Sequence, residues 1–181
     1  SQLAVGVIAG NSVGTIPSYA TRGFSGNSLT LMRDGVRQNT ASQSSRPADT
    51  FIFERIEVVK GPSSVLWGEG AVGGALNITS KEPQPRFGVD GLFSFGSFGT
   101  HREGIGVTGP LHRTVSARVD YSHAGTDGYV DRSGSSINSV GASLKWAPLE
   151  ALAFTIAGNY VTDLAKSYYG TPLINGQIDR R

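Results

Sequence analysis

Strict alternation of apolar and polar residues in the second half of the chain constrains the fold more than any other feature. Five successive runs show it, beginning at Val89, Ile105, Val115, Val140 and Leu152. A period of two residues predicts β-strands with one apolar face and one face of small or polar side chains. Because no helical pattern separates the runs, we expect neighbouring strands to pair antiparallel.

Two kinds of fold can contain such strands: a soluble β-sandwich or meander, and a transmembrane β-barrel. The less apolar face carries Gly, Ser, Thr, Ala and single charges, which suits a water-filled lumen. The tight turns GPLHRT (109–114) and APLEA (147–151) alternate with longer connections over 123–138 and after Asp163. Short turns on one side and longer loops on the other are typical of transmembrane barrels, so the pattern favours the barrel. The short connection around Phe98 departs from this rule.

Composition excludes several other classes of protein. The chain of 181 residues has 16 basic and 14 acidic residues, a net charge of +2. Because the basic residues are scattered, we expect no nucleic-acid partner. The chain has no cysteine, which excludes disulfides and thiolate metal sites. Its longest apolar run, LAVGVIAG (3–10), is far shorter than the ~18 residues of a spanning helix, although strands cross a bilayer without such a run.

A G-x-G-x-x-G pattern at 68–73 raises the possibility of a dinucleotide-binding enzyme. Such a site needs a strand before the first glycine and a long helix after the third. Here a short helical turn is expected at 62–68, and a strand-like segment follows at 75–79. Pro83 then prevents a helix from continuing. The order of elements is reversed, so the sequence predicts neither an enzyme nor a nucleotide cofactor.

The first half of the chain predicts a small mixed domain. Two strands are expected at 19–24 and 28–33, followed by a tight Asp34-Gly35 turn in which glycine accepts a positive φ. The next stretch, TFIFERIEVVKGP, predicts a short helix or turn leading into a strand at 55–60. Composition and rhythm change at KEPQPR (81–86), which indicates a boundary between two parts of the chain.

An ordered set of motifs resembles the TonB-dependent outer-membrane receptors. The set consists of RGF (22–24), DGV (34–36) and ERIEVVKGPSSVLWGEGAVGGALNITSKEP (54–83), followed by the alternating strands. The resemblance implies an α+β plug domain, its C-terminal part, over 1–82. It implies the first five strands of an antiparallel transmembrane β-barrel of about 22 strands over 83–181. The glycines at 68–73 would form tight turns of a plug loop. Because the chain has no initiator Met and no turn or cap at its end, we expect it to be an excerpt of such a receptor.

The resemblance implies transport rather than catalysis. Receptors of this family bind scarce nutrients, most often ferric siderophores, and import them with energy relayed by the TonB complex. The expected partners are therefore a ferric siderophore, the TonB complex and outer-membrane lipid, with no cofactor bound directly. The stretch SYYGTPLINGQIDR (167–180) resembles siderophore receptors, which favours a siderophore over cobalamin, haem or a sugar. A soluble β-rich binding or adhesion module is the alternative from another class.

The family's functional positions carry over to this chain as hypotheses. Two loops would lie at the plug apex and contact the ligand, unless their members are ordinary polar loop residues: Ser25, Gly26, Asn27, Gln38, Asn39 and Thr40. Trp67 could stack on a ligand, although packing against the barrel is favoured. Arg22 and Lys60 match basic plug positions that pair with barrel glutamates, and lysine lacks the bidentate pairing of arginine. Arg55 and Glu57 share one face of a strand and are expected to serve plug–barrel packing.

Three histidines at eleven-residue intervals raise the possibility of a metal site. They are His101, His112 and His123. We expect them on different strands or strand ends, with no carboxylate motif beside them. The sequence therefore predicts no shared metal site.

Overall fold

The computed structural model describes residues 7–10, 18–21, 24–25, 29–38, 49–60, 74–129, 133–166, 173–174 and 177–178. These residues form fourteen strands and one short 3₁₀ helix, Thr50–Ile52. The first seven strands are β1 (Val7–Gly10), β2 (Ser18–Thr21), β3 (Phe24–Ser25), β4 (Leu29–Arg33), β5 (Val36–Arg37), β6 (Phe53–Lys60) and β7 (Gly74–Ser80). The second seven are β8 (Gly88–Phe95), β9 (His101–His112), β10 (Val115–Thr126), β11 (Ser135–Leu149), β12 (Leu152–Ala165), β13 (Leu173–Ile174) and β14 (Gln177–Ile178). No helix among the described residues is long and apolar enough to cross a membrane.

A four-stranded sheet in the order β5-β4-β7-β6 forms the body of the N-terminal half. Strand β4 runs parallel to β7, and β6 pairs antiparallel with β7. Its core consists of Met32, Ile52, Phe53, Ala75 and Leu76, which are all buried. This mixed sheet contains the predicted strands β4 and β6, and its parallel pairing of β4 with β7 could not be read from the sequence.

The turn between β4 and β5 has the predicted chemistry. Asp34 has φ 50° and Gly35 has φ 77°, so the Asp34-Gly35 pair occupies the left-handed region as expected. The Asp34 carboxylate also accepts hydrogen bonds from the backbone N and hydroxyl of Ser80, at 2.7 and 2.8 Å. Gly74 is a second position that only glycine fits, because its φ is 138° and a Cβ there would lie 2.3 Å from the Val59 carbonyl oxygen.

Two details of the predicted N-terminal strands are wrong. The strand expected at 19–24 is two short strands, β2 and β3, which pair with each other and join β1 in a three-stranded sheet. Strand β6 begins at Phe53 rather than Arg55, directly after the 3₁₀ helix. The helical turn expected at 62–68 and the glycines at 68–73 lie outside the described residues.

Strands β8 to β12 form a five-stranded antiparallel meander in which each strand pairs with the next. The alternation predicted from sequence is confirmed. One face, here called the outer face, presents exposed apolar side chains, including Phe93, Ile105, Val119, Leu144 and Ile156. The opposite, inner face carries small and polar residues, many of them buried under the N-terminal half.

The predicted tight turns are shorter than the sequence indicated. Strand β9 continues through Pro110 to His112, and β11 continues to Leu149, so the turns are only 113–114 and 150–151. Irregular pairing near Val115 and beyond Trp146 lets the ladders extend into these segments. The connections at the other end of the sheet, here called the outer end, span 96–100 and 127–134 and are longer.

Candidate functional site

The 3₁₀ helix docks on the inner face of the meander through an ion pair. Asp49 caps the helix, since its Oδ1 accepts a hydrogen bond from the Phe51 N–H at 2.7 Å. The same carboxylate accepts two hydrogen bonds from Arg102 on β9, at 2.5 Å from Nε and 2.7 Å from Nη2. The Asp49 side chain is 5% exposed and that of Arg102 is 34% exposed. This fork-like pairing of guanidinium and carboxylate is the strongest kind of side-chain hydrogen bonding.

Small residues on the inner face make room for the docked helix. A Cβ on Gly104 would lie 2.8 Å from the ring of Phe51, so only glycine lets the ring pack there. Ile52 lies over Gly141, with 3.4 Å between its Cβ and the position of a Cβ on that glycine. The backbone N–H of Asp49 donates to Ser139 Oγ at 3.2 Å. The inner face therefore fits the helix closely at Gly104, Ser139 and Gly141.

A second contact is a largely buried cluster of two cations and two anions where the chain leaves β7, in which only one anion, Asp90, is half exposed. Lys81 Nζ lies 3.3 Å from Asp120 Oδ1 and 3.5 Å from Asp90 Oδ2. Arg118 donates to both oxygens of Asp120 at 2.8 Å and also to Asp90. Lys81 Nζ also lies 4.1 Å from the centroid of the Phe51 ring, which joins this cluster to the docked helix. Balanced charges allow Lys81, Arg118 and Asp120 to be largely buried, whereas the Asp90 side chain is 49% exposed.

Further polar contacts join the segment after β7 and the four-stranded sheet to the inner face. The backbone N–H of Gln84 donates to Thr108 Oγ1 at 2.8 Å, and Ser143 Oγ donates to the Lys81 carbonyl at 3.0 Å. Arg33 at the end of β4 donates to the side-chain oxygen of Asn159 on β12. The N-terminal half is thus held on β9, β10, β11 and β12 mainly through polar groups.

The sequence hypotheses for the ligand-contacting loops fall largely outside the described residues. This applies to Arg22, Gly26, Asn27, Asn39, Thr40 and Trp67. Ser25 is the last residue of β3, and Gln38 follows β5, where its backbone N–H donates to the Leu31 carbonyl at 2.8 Å. Gln38 is exposed, as a ligand contact requires. The role of these loops stays a prediction.

The proposed latch residues lie on β6. Arg55 Nε donates to Glu57 Oε1 at 2.8 Å, and Asn77 donates to Glu57 Oε2 at 3.0 Å. The bonds from Arg55 and Asn77 hold the pKa of the Glu57 carboxyl below its usual value. Both members of the ion pair are about half exposed, and Lys60 at the end of β6 is exposed as well. Their part in plug–barrel packing and latching stays a prediction.

The three histidines lie on different strands or strand ends, as expected, but strand pairing brings two of them together. His123 on β10 pairs directly with Glu103 on β9, and His101 lies beside them. The expectation that no carboxylate stands beside the histidines is therefore wrong, because antiparallel pairing places residues 20 positions apart side by side. His112 lies at the opposite end of β9.

Sequence reasoning missed the residues that make the docking contacts. They are Asp49, Lys81, Asp90, Arg102, Arg118 and Asp120. One signal was present: single charges occur at inner-face positions of otherwise small-residue strands, where an unpaired charge would be costly. Their partners could not be read from the sequence, because the pairs lie up to 53 positions apart.

The architecture defines a class of protein, in which a plug domain docks through polar contacts on the inner wall of a transmembrane β-barrel. The five-stranded meander of this chain corresponds to the first strands of such a barrel. A family model for the TonB-dependent receptor plug domain matches residues 2–75. Residues 2–75 therefore form a plug domain of the TonB-dependent receptor family. The resemblance noted in the sequence is thereby confirmed, and so is the expectation that the protein is not an enzyme.

Individual relatives are similar to this chain over part of their own length. The ferrioxamine receptor of Yersinia enterocolitica is 29% identical over 180 residues, which is 96% of this chain and 25% of the relative. The ferrioxamine B receptor of Salmonella typhimurium strain LT2 is 38% identical over 103 residues, 54% of this chain and 15% of the relative. The chain thus spans a quarter or less of the length of these relatives.

Solved structures share the fold. The pyoverdine receptor FpvA from Pseudomonas aeruginosa PAO1, bound to pyoverdine, has a TM-score of 0.76 at 24% identity, covering 87% of this chain and 24% of FpvA. The siderophore receptor PiuA from Acinetobacter baumannii has a TM-score of 0.75 at 22% identity, covering 88% of this chain and 23% of PiuA. The predicted plug and barrel strands are confirmed by these matches.

Proposed function

We propose that residues 1–82 are the C-terminal part of the plug, and 83–181 the first barrel strands, of a receptor that imports a ferric siderophore with energy from the TonB complex. The observation that carries this proposal is the docking of the 3₁₀ helix on the inner wall through Asp49 and Arg102. A barrel whose lumen is closed by a separately folded plug needs an input of energy to open.

The chemistry of the docking contacts suits a plug that must be released and rebound. Ion pairs and hydrogen bonds exchange for water when the plug moves, since each group that leaves its partner can be hydrated. The contacts of Lys81 and Arg33 are of the same kind. Release of an apolar interface of the same extent would expose apolar surface to water, which costs about 25 cal/mol per Å². A polar interface therefore lowers the work that the energy-transducing partner must do.

The substrate class rests on the relatives. The receptors named above for ferrioxamine and pyoverdine are similar to this chain, and the stretch at 167–180, which resembles siderophore receptors, favours a siderophore over cobalamin, haem or a sugar. We propose that the plug apex contacts the chelate through the loops that contain Ser25 and Gln38, together with Gly26, Asn27, Asn39 and Thr40. Hydroxyl, amide and backbone groups would bond the periphery of the chelate, whose own oxygens hold the iron.

Uptake by the complete receptor tests this proposal. The full reading frame that contains these residues is expressed in a host without siderophore receptors of its own, with and without functional TonB. We expect accumulation of radioactive iron from ferrioxamine B or another ferric siderophore only in the TonB-positive cells. Uptake of cobalamin, haem or a sugar instead would refute the substrate class. Equal uptake without TonB would refute the energy source.

A further inference from the structure

Two histidines and a glutamate lie together on the outer face of the meander. We propose that His101, Glu103 and His123 form a binding site for a divalent transition-metal ion of the zinc class. One ligand atom from each side chain lies within 4.8 Å of the other two. The two imidazole centroids are 5.4 Å apart, with the rings tilted by 35°. Two imidazoles and one carboxylate form a donor set that zinc favours and magnesium does not.

Strand pairing builds this cluster. In the antiparallel ladder of β9 and β10, His123 stands opposite Glu103 and Gly125 stands opposite His101. A Cβ on Gly125 would lie 2.5 Å from Cε1 and 2.7 Å from Nε2 of the His101 ring. Only glycine at this position lets the ring lie across β10. The glycine thus holds open the space that the first ligand occupies.

Hydrogen bonds orient both imidazoles for metal binding. His101 Nδ1 lies 2.9 Å from the Gly99 carbonyl oxygen, and His123 Nδ1 lies 2.9 Å from Asn138 Oδ1. Because a carbonyl oxygen only accepts, each Nδ1 carries the proton and each Nε2 keeps a free lone pair. Metal-binding histidines are commonly fixed in this way by a carbonyl or carboxylate on the second nitrogen. Tyr121 Oη also donates to Asn138 Oδ1, at 3.0 Å, which steadies that amide.

A small movement closes the site. Tetrahedral zinc with bonds of about 2.0–2.1 Å places its ligand atoms about 3.3 Å apart. The donors, which lie within 4.8 Å of one another, must therefore approach by up to about 1.5 Å. Glu103 is exposed and free to rotate toward the partly buried histidines. Three protein ligands leave a fourth position for water or another oxygen ligand.

The cluster is placed where a metal ion can reach it. His101 begins β9 at the outer end of the sheet, where the longer connections lie. Longer loops mark the extracellular side of an outer-membrane barrel. Tyr121 and Ile105 form the next outer-face pair toward the middle of the sheet, and tyrosine is typical of the membrane interface. The site therefore faces outward at the external rim, away from the plug and the lumen.

Zinc titration of the complete receptor tests the site. The receptor is purified in detergent, stripped with a chelator and titrated with Zn²⁺ by calorimetry, with Mg²⁺ as the comparison ion. We expect His101→Ala, His123→Ala and Glu103→Gln each to remove one Zn²⁺ equivalent, while His112→Ala keeps it. Mg²⁺ should not occupy the site. Unchanged stoichiometry and affinity in both His101→Ala and His123→Ala would overturn the proposal.

Variants that keep all three ligands separate metal binding from folding. Asn138→Ala removes the partner of His123 and should weaken zinc binding about 10–100-fold. Gly125→Ala should weaken it through displacement of the His101 ring, whereas Gly158→Ala, whose Cβ meets nothing within 4 Å, should not. All are checked for the heat-modifiable electrophoretic mobility of a folded barrel. Wild-type affinity in both Asn138→Ala and Gly125→Ala would overturn the pre-oriented geometry on which the site rests.

Discussion

Replacement of Asp49 by alanine should release the 3₁₀ helix from the barrel wall. The change removes the helix cap on the Phe51 N–H, which is worth about 1 kcal/mol. It also removes two charge-assisted hydrogen bonds from Arg102, whose net worth is about 1.5–3 kcal/mol. Arg102 is a third exposed, so water takes up part of the loss and the lower value applies. The total is about 2.5 kcal/mol, or about a 70-fold shift toward the undocked state.

Hydrogen exchange measures this shift in the complete receptor. Exchange of amides within 49–60 reports the free energy of local opening when reclosing is faster than chemical exchange, so under that condition Asp49→Ala should speed it about 70-fold. Asp49→Asn keeps an oxygen for the cap and loses the charge, so it should fall between wild type and alanine. Glu54→Ala removes an exposed carboxylate five residues away and is the matched control.

A double-mutant cycle with Arg102→Ala then isolates the ion pair. If the ion pair stabilises docking, the free-energy cost of the double mutant should be smaller than the sum of the two single-mutant costs by about 1–2 kcal/mol. The reasoning would be refuted if Asp49→Ala exchanged like Glu54→Ala, or if the two substitutions were strictly additive in a folded receptor.

The remaining predictions concern the same interface. Gly104→Val should weaken docking of the 3₁₀ helix by about 1–3 kcal/mol, because the valine side chain would occupy the space of the Phe51 ring. Gly158→Val should leave docking unchanged, since a Cβ there meets nothing within 4 Å. Hydrogen exchange of amides within 49–60 measures both effects. Ile52→Cys and Gly141→Cys together should form a disulfide, since 3.4 Å separates the two Cβ positions. Iron uptake should then stop on oxidation and return when a reductant is added. Uptake that is unchanged by a formed disulfide would mean that this segment does not move. Lys81→Met should destabilise the folded receptor by about 3 kcal/mol because it removes a cation from the buried Asp120, and Lys81→Arg should lose less stability in thermal unfolding.

The local features of this protein could be predicted from the sequence. The two-residue period from Val89 onward predicted five strands and the face each side chain occupies, and the Asp34-Gly35 turn was predicted with its positive φ. These succeed because they depend on neighbouring residues alone: side chains alternate along any strand, and glycine tolerates φ values that other residues resist. The motif set at 22–83 then supplied the family.

Strand ends could not be predicted as well, because they depend on pairing with another strand and not on neighbouring residues alone. Pro110 lies inside β9 and Pro148 inside β11, although proline usually marks a turn. Pairing with β10 and β12 extends these strands past the prolines, with irregular register nearby. The energy of a ladder belongs to two strands at once, so one strand's sequence does not fix where it stops.

The sequence by itself determined the strand pattern, the faces and the family of this protein. Only the tertiary structure decided which charges meet. Asp49 and Arg102 are 53 positions apart, and His101 and His123 are 22 apart, yet each pair is brought together by docking or by register. A contact of this kind depends on the three-dimensional placement of whole elements, whereas alternation depends only on the geometry of the backbone between adjacent residues.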